Sequence, residues 1–186
     1  HLSGGGAVVG GAVPGCGADG RGQGREDSLG PPSRGGAPMN TVEALTRLRA
    51  ARVGRLATVT PDARPHVVPF VFALVERGDE VRAYWAVDRK PKRTDRLRRL
   101  RNLEGNPAVE FVVDGYDEGW RDLWWVRASG TGRVVEAPDE RVTALEALTA
   151  KYPQYRSEPP RGPVVAIDVE RISGWEASVG IAEGEP

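Results

Sequence analysis

The spacing of apolar residues changes several times along the chain, and each change predicts a new element. In the first predicted helix they recur every three or four positions behind an N-cap signature, Asn40 with Glu43 three residues later. In the predicted strands they alternate with polar residues or form runs of β-branched and aromatic side chains. The predicted helices are 40–52, 88–104 and 138–152, and the predicted strands are 53–60, 65–76, 80–87, 108–115, 123–136 and 164–175.

The turns between these segments predict how the strands connect. Short turns at 61–64 and 77–79 predict that the first three strands form an antiparallel meander. Pro69 predicts an edge position or a bulge for the second strand, because proline has no N–H to donate. The glycines of the fifth strand are suited to a bulge. The pattern therefore predicts an α+β fold, with six mostly antiparallel strands in a small barrel covered by helices at the strand junctions.

Composition divides the chain just before Met39. Residues 1–38 contain 13 Gly, 4 Pro and no Phe, Trp or Tyr, so they hold too few apolar side chains to offset the entropy lost on ordering. We interpret them as a flexible tail or upstream sequence and place the folded domain at 39–186. The single cysteine, Cys16, lies in the tail, which excludes an intramolecular disulfide and a cysteine-rich metal site.

The overall charge limits the classes of partner. The 26 basic residues balance 26 acidic ones, which disfavours a globally basic nucleic-acid-binding protein. The longest apolar run, 67–75, is interrupted by Pro69 and is far shorter than the ~18 residues of a membrane span. No charged segment followed by a long apolar run opens the chain. We therefore expect a soluble cytoplasmic protein with no membrane span.

The densest charge lies where the third predicted strand meets the second predicted helix. Eight of the thirteen residues 89–101 are basic, only Asp95 is acidic, and Thr94 adds a hydroxyl. Free N–H groups at a helix N-terminus, together with Lys and Arg side chains, bind phosphate. We rank a phosphate or polyanionic cofactor first, a solvated helix face second, and nucleic acid third.

Aromatic and titratable residues add two further indications. Trp124 and Trp125 point to opposite faces of the fifth strand. One can fill the core, and the other indicates a subunit interface or a ligand wall, with packing at a barrel end as the equal alternative. His66 is expected to face water, because no GxSxG motif or metal-ligand partner accompanies it. With no nucleophile, metal set or nucleotide-binding glycine loop, the sequence favours an enzyme whose chemistry a bound cofactor supplies.

Four stretches of the sequence together resemble a known family. They are GRLATV (54–59), RPHVVPFVFAL (64–74), DRKPKRTDRLRRLRNLEGNPAVEFVVD (88–114) and LWWVRASGTGRVVE (123–136). In this order they are similar to the pyridoxamine 5′-phosphate oxidase-like split β-barrel superfamily. The KPKRT stretch and the DGYDEGW…LWWVRA stretch resemble its branch of actinobacterial oxidoreductases that use the deazaflavin coenzyme F420. The resemblance covers about residues 41–176.

This resemblance implies an FMN-binding-type, six-stranded antiparallel split β-barrel that forms a homodimer with two cofactor sites at the subunit interface. A gapless match at the Asn106-Pro107 pair places Arg99 opposite a lysine used by related branches. The cofactor-binding residues that it implies are Lys90, Lys92, Arg93 and Thr94 at the phosphate, Val68, Pro69 and Phe70 along the tricyclic ring, and Trp125 and Arg127 near the ring or tail.

The implied activity is hydride transfer between coenzyme F420 and a small organic substrate, with no catalytic side chain and no metal. FMN, with an oxidase or reductase activity, is the alternative cofactor. The F420 tail is longer and polyanionic, and eight cations exceed what one FMN phosphate needs. A non-catalytic flavin- or deazaflavin-binding protein is a further interpretation, and haem binding is a weaker one because His66 stands alone.

Overall fold

The computed structural model describes residues 36–87, 95–116, 118 and 122–177, with residues 95–97 described by their backbone only. The strands in this part of the chain are β1 (Gly36–Pro38), β2 (Gly54–Val59), β3 (Pro65–Phe70), β4 (Ala73–Arg77), β5 (Glu80–Ala86), β6 (Ala108–Gly115), β7 (Trp124–Val134) and β8 (Val164–Ala177). The helices are α1 (Thr41–Ala50), α2 (Asp95–Gly105), α3 (Pro138–Lys151) and α4 (Gln154–Ser157).

All strand pairs are antiparallel, and the strands form one sheet in the order β3-β2-β6-β7-β8-β5-β4, with β1 paired to β8. The predicted α+β split-barrel class is confirmed, although the described residues form eight strands rather than six. Pro69 lies on an edge strand as predicted, because β3 pairs with β2 alone among the described strands. No helix in the described ranges is long and apolar enough to cross a membrane.

The predicted second strand, 65–76, is wrong as a single element. It divides into β3 and β4, which lie at opposite edges of the sheet, so the predicted three-stranded meander is also wrong. The chain leaves the ladder at Val71 and Phe72. There the Tyr152 hydroxyl lies 3.1 Å from the Phe72 nitrogen, from which it accepts, and 2.8 Å from the Phe72 carbonyl oxygen. This side chain replaces the strand hydrogen bonds that the break removes.

Residues 36–38, which composition placed with the tail, form β1. Gly36 pairs with Ala177, and Pro38 pairs with Trp175. A Cβ at Gly36 would lie 2.0 Å from the Trp175 indole, so only glycine lets the backbone lie against this ring. The ordered sheet therefore includes residues upstream of Met39.

The helices begin and end close to where the sequence predicts. Asn40 caps α1 by accepting a hydrogen bond from the Glu43 nitrogen at 2.9 Å, as its spacing predicts. The buried face of α1 carries Ala44 and Leu48, whereas Val42 is 76% exposed. In α2 the described residues begin at Asp95, so the predicted start at 88–94 lies outside them.

Two apolar clusters hold these elements together. The larger lies inside the curved sheet, where β2, β5, β6, β7 and β8 bury side chains such as Leu56, Phe111 and Trp85. The smaller joins β4, β5 and β8 to α3 through residues such as Tyr84 and Leu148. A bulge lies opposite the β7 glycines, where Ser129 pairs with Arg171 but Gly130 pairs with Val169. The extra residue lies in β8, and a Cβ at Gly130 would lie 2.0 Å from the Asp168 carbonyl oxygen.

Candidate cofactor site

The hairpin before β3 determines which backbone N–H and C=O groups of this strand face β2 and which face away. The Thr60 nitrogen donates to the Arg64 carbonyl at 2.9 Å, and the Ala63 nitrogen donates to the Thr60 carbonyl at 2.8 Å. Backbone polar groups of an antiparallel strand alternate between facing the partner and facing away. The groups of Val68 and Phe70 therefore face β2. Those of Val67, and the carbonyl of Pro69, face the outer edge of the sheet.

The side chains of β3 alternate in the same way. Phe70 is 5% exposed and lies in the core, where its ring is 5.0 Å from Phe72 and 5.4 Å from Phe111. Val68 packs partly against the same core. Val67 is 59% exposed, and Pro69 is exposed as well. Of the three residues expected along the ring, Pro69 alone presents both its side chain and its carbonyl outward.

One row of residues crosses the outer face of the sheet from this edge. Pro69 pairs with Arg55, Arg55 with Val112, and Val112 with Arg127, so all four side chains share a face. Adjacent strands lie about 4.8 Å apart, which puts Pro69 and Arg127 roughly 14 Å apart. Two ion pairs lie across this row, Arg127 Nε–Glu110 Oε1 at 2.9 Å and Arg55 Nη1–Asp114 Oδ1 at 2.6 Å.

The two adjacent tryptophans separate as predicted. Trp124 packs against the core, and the Arg47 guanidinium lies 4.9 Å from its ring centre. Trp125 lies on the outer face with Arg127, whose guanidinium is 5.9 Å from the Trp125 ring. Trp125 pairs across the sheet with Trp175. The outer face thus carries Pro69, Trp125 and Arg127, whereas Val68 and Phe70 point to the opposite face.

The basic residues expected at the phosphate lie outside the described residues. Lys90, Lys92, Arg93 and Thr94 therefore remain a prediction from the sequence. Further along α2, Arg98 and Arg101 are exposed and Arg99 is half-buried. The Arg99 guanidinium lies 4.9 Å from the ring centre of Trp85, a cation–π distance.

Sequence reasoning missed a buried polar connection between α2 and the sheet. Thr58 and Asn102 are each 1% exposed, and the Asn102 amide donates to the Thr58 hydroxyl at 2.8 Å. His66, opposite Thr58 on β3, is half-buried rather than directed fully to water, and its Nδ1 lies 3.5 Å from the Thr58 hydroxyl oxygen. No motif signals this set, because its three members come from three elements.

A second residue that the sequence did not single out is Lys151. Its Nζ lies 4.4 Å from the Phe72 ring centre and 5.8 Å from that of Tyr152. Burial, together with the nearby Arg52 charge, lowers the pKa of Lys151 from 10.5 to about 8. The Lys151 amine therefore packs against two aromatic rings at the C-terminal end of α3.

A charged cluster on β5, β7, β8 and α3 was also missed. Arg133 binds Glu140 through two hydrogen bonds of 2.8 and 2.9 Å and reaches Asp168 at 3.1 Å. Arg82 also binds Asp168, and the Tyr84 hydroxyl donates to Glu140 at 3.0 Å. The hydrogen bonds from Arg133 lower the pKa of Glu140. Through Glu140, these hydrogen bonds and ion pairs connect the first turn of α3 to the sheet.

The described residues contain no group of three or more His, Cys, Asp or Glu side chains that could hold a metal ion. The outer face of the sheet offers outward backbone groups at the β3 edge, with Trp125 and Arg127 on the same face. These features suit an aromatic, anionic ligand better than a metal.

Comparison with known proteins gives one curated relative and several similar structures. The chain is 40% identical over 88 residues to the 5a,11a-dehydrotetracycline/5a,11a-dehydrooxytetracycline reductase of Streptomyces rimosus. This match covers 47% of the chain and 56% of the reductase, so the chain spans only about half the length of this relative.

The similar structures share the fold over most of their length. A protein of unknown function from Corynebacterium diphtheriae is 25% identical, with a TM-score of 0.57 over 76% of this chain and 98% of its own. An FAD-binding protein from Mesorhizobium loti is 22% identical, with a TM-score of 0.57 over 77% of this chain and 99% of its own. The family model described as pyridoxamine 5′-phosphate oxidase matches residues 41–176. Since this match spans β2 to β8 and all four helices, the chain belongs to the pyridoxamine 5′-phosphate oxidase family.

Proposed function

We propose that this protein is an oxidoreductase that transfers a hydride between coenzyme F420 and a small organic substrate. The observation that carries the proposal is the 40% identity over 88 residues with a reductase of small organic molecules. The family match and the outer face of the sheet support it, since both favour a bound aromatic cofactor. When bound, the cofactor supplies the hydride chemistry, and the chain supplies position and electrostatics.

The described residues fit the edge of a flavin or deazaflavin ring. Such a ring presents carbonyl and N–H groups along one side, and the outward backbone groups of Val67 and Pro69 are their hydrogen-bonding complement. The apolar side chains of the same two residues are exposed beside them. They would exclude water from one side of the ring and so strengthen the polar contacts at its edge.

Charge density favours the deazaflavin over FMN. Eight basic residues lie among 89–101, whereas FMN carries one phosphate. Coenzyme F420 carries a phosphodiester followed by glutamate carboxylates. Its anionic tail is longer than that of FMN and can form ion pairs with more of these cations. Several such contacts also make binding depend steeply on salt.

Titration of the purified protein with F420 and with FMN, followed by cofactor fluorescence, tests the proposal. We expect F420 to bind more tightly and to lose affinity faster as salt rises. Hydride transfer from reduced F420 to a dehydrotetracycline-type substrate then tests catalysis. Tighter binding of FMN would overturn the cofactor assignment, and F420 binding without turnover of any acceptor would favour a non-catalytic binding protein.

A pair of variants locates the tail of the cofactor. Lys92→Ala should weaken F420 binding roughly ten- to a hundredfold, because a charge-assisted hydrogen bond contributes about 1.5–3 kcal/mol. Arg101→Ala is the matched control, since Arg101 is an exposed cation farther along α2, and its effect should be much smaller. Equal losses of affinity in both variants would show that residues 89–101 attract the cofactor through their summed charge and form no specific phosphate site.

A further inference from the structure

The described residues bury two polar side chains other than tyrosine and tryptophan, and these two bind each other. Thr58 of β2 and Asn102 of α2 are both 1% exposed, and the Asn102 amide lies 2.8 Å from the Thr58 hydroxyl. Their neighbours in β2 and α2, Leu56 and Leu103, belong to the larger apolar core. This bond is therefore a buried directional contact between helix and sheet, and the Thr58 hydroxyl extends it to His66.

Two apolar side chains at positions 58 and 102 would give about the same free energy of unfolding as the hydrogen-bonded pair. Valine has nearly the shape of threonine, and replacing both partners of a buried hydrogen bond by apolar groups is close to neutral for folding. A buried hydrogen bond instead fixes how one element is placed on another, because a hydrogen bond has a narrower range of distance and angle than an apolar contact. The Thr58–Asn102 bond sets the position of α2 along β2.

This position matters because of what the two elements carry. The helix begins at Asp95, directly after the predicted phosphate-binding residues 90–94, and Asn102 lies about 10 Å along it. Thr58 is paired with His66 on β3, and its hydroxyl also lies 3.4 Å from the His66 carbonyl oxygen. The same strand continues through Val67 to Pro69. The bond thus connects α2 to β2, and the contact of Thr58 with His66 continues this connection to β3.

We propose that Thr58 and Asn102 are positioning residues that hold α2 and β3 at the spacing a phosphate-bearing, ring-containing cofactor requires. The inference rests on the proposed cofactor binding and adds the residues that set its geometry. A cofactor that spans both elements loses affinity when they can slide, since part of its binding free energy is then used to order the protein. A shift of α2 along β2 would change the position of the helix relative to the outward backbone groups of Val67.

The test compares one hydroxyl at this bond with one hydroxyl elsewhere. Thr58→Val removes the bond with little change of shape, and Thr58→Ser keeps a hydroxyl. Tyr152→Phe is the matched control, because the buried Tyr152 hydroxyl binds the backbone of Phe72 and Arg52 and has no part in the Thr58–Asn102 contact. Each variant is assayed for its melting temperature and for F420 and FMN binding by fluorescence. Asn102→Ala is measured in parallel, so that failure of Thr58→Val to fold leaves a second variant.

Thr58→Val and Tyr152→Phe should both lower the melting temperature, but only Thr58→Val and Asn102→Ala should weaken cofactor binding, by about tenfold. Thr58→Ser should restore affinity to within about twofold of the original. Unchanged affinity in Thr58→Val and Asn102→Ala, or an equal loss in Tyr152→Phe, would overturn the positioning role while leaving the proposed function intact. Failure of the original protein to bind either cofactor would overturn both.

Discussion

Ala63 and Gly78 lie at the tips of two hairpins and share the same left-handed backbone angle, φ 59°. Ala63 closes the β2–β3 hairpin, where its nitrogen donates to the Thr60 carbonyl at 2.8 Å. Gly78 lies between β4 and β5 with no atom within 4 Å of where a Cβ would be. The same conformation is therefore strained at the alanine and relaxed at the glycine, since a left-handed L-residue costs about 1–2 kcal/mol.

Exchanging the two residue types should change stability in opposite directions. Ala63→Gly should raise the free energy of unfolding by about 0.5–1 kcal/mol, because relief of strain exceeds the extra chain entropy of glycine. Gly78→Ala should lower it by about 1 kcal/mol, and open space around Gly78 means that backbone strain alone is measured. Urea denaturation measures both. Destabilisation by Ala63→Gly would show that the extra chain entropy of glycine outweighs the strain at Ala63.

Lys151 should destabilise the fold near neutral pH. Burial beside Arg52 lowers its pKa to about 8. Folding at neutral pH therefore removes a charged amine from water and places it near another positive charge, which costs free energy. Lys151→Met should therefore raise the free energy of unfolding by about 1–3 kcal/mol near pH 7. Between the folded pKa and the unfolded value of 10.5 the unfolded chain holds the extra proton. Raising the pH through this window should stabilise the original protein and shrink its difference from the variant.

Denaturation of both proteins across this pH range checks the sign. The two stability curves should converge as pH rises from about 8 to about 10.5. Curves that stay parallel would mean that the Phe72 and Tyr152 rings, at 4.4 and 5.8 Å, compensate the burial of the charge in full.

Glu140 should stabilise the protein most above the pKa of a free glutamate. Its two hydrogen bonds with Arg133 and the bond from Tyr84 hold the pKa of Glu140 below its usual value of 4.5. Glu140→Gln should therefore lower the free energy of unfolding by about 1–3 kcal/mol near pH 7. The loss should vanish as pH falls through the folded pKa, because the carboxylate is then protonated in the original protein as well.

Asp139→Asn is the matched control for this prediction. Asp139 precedes Glu140 in the first turn of α3 but is exposed, so its substitution should change stability by only about 0.3–1 kcal/mol through the helix dipole. Thermal denaturation at about pH 7 and about pH 3 separates the two variants. Equal effects would show that Glu140 acts through the dipole and not through Arg133.

Local signals explain which parts of the fold could be read from the sequence. The helix cap at Asn40, the turn at 61–64 and the end of α2 before Pro107 depend on neighbouring residues, and each lies where predicted. The break between β3 and β4 depends on Tyr152, eighty residues away. Since the apolar pattern continues unchanged through Val71 and Phe72, no local feature could reveal it.

The candidate site divides in the same way. Separation of Trp124 from Trp125 follows from strand alternation alone, and the structure shows it. Pairing of Thr58 with Asn102 requires the helix to be placed on the sheet first, and two small polar residues 44 positions apart give no sign of it. Residue types therefore indicated a flavin-type cofactor, whereas the Thr58–Asn102 contact appeared only in three dimensions.

The outer face of β3 should form part of a homodimer interface. Pro65, Val67 and Pro69 are exposed on it, and Val67 is 59% exposed. The two prolines fall where their missing N–H would face outward, which blocks strand-to-strand pairing at this edge. A partner must therefore pack on the side chains of this face, where Trp125 also lies and where the proposed cofactor needs cover from water.

Val67→Lys should convert this dimer to a monomer. A lysine placed in an apolar interface loses the burial of valine and adds a desolvated charge, together worth several kcal/mol. Val142→Lys is the matched control, because Val142 is 55% exposed on α3 and away from β3. Sedimentation at micromolar concentration should show a dimer for the original protein and for Val142→Lys, and a folded monomer for Val67→Lys. The melting temperature of Val67→Lys should no longer depend on protein concentration. A monomeric original protein, or a Val67→Lys variant that stays dimeric, would remove β3 from the interface. The cofactor would then have to bind on a face open to water.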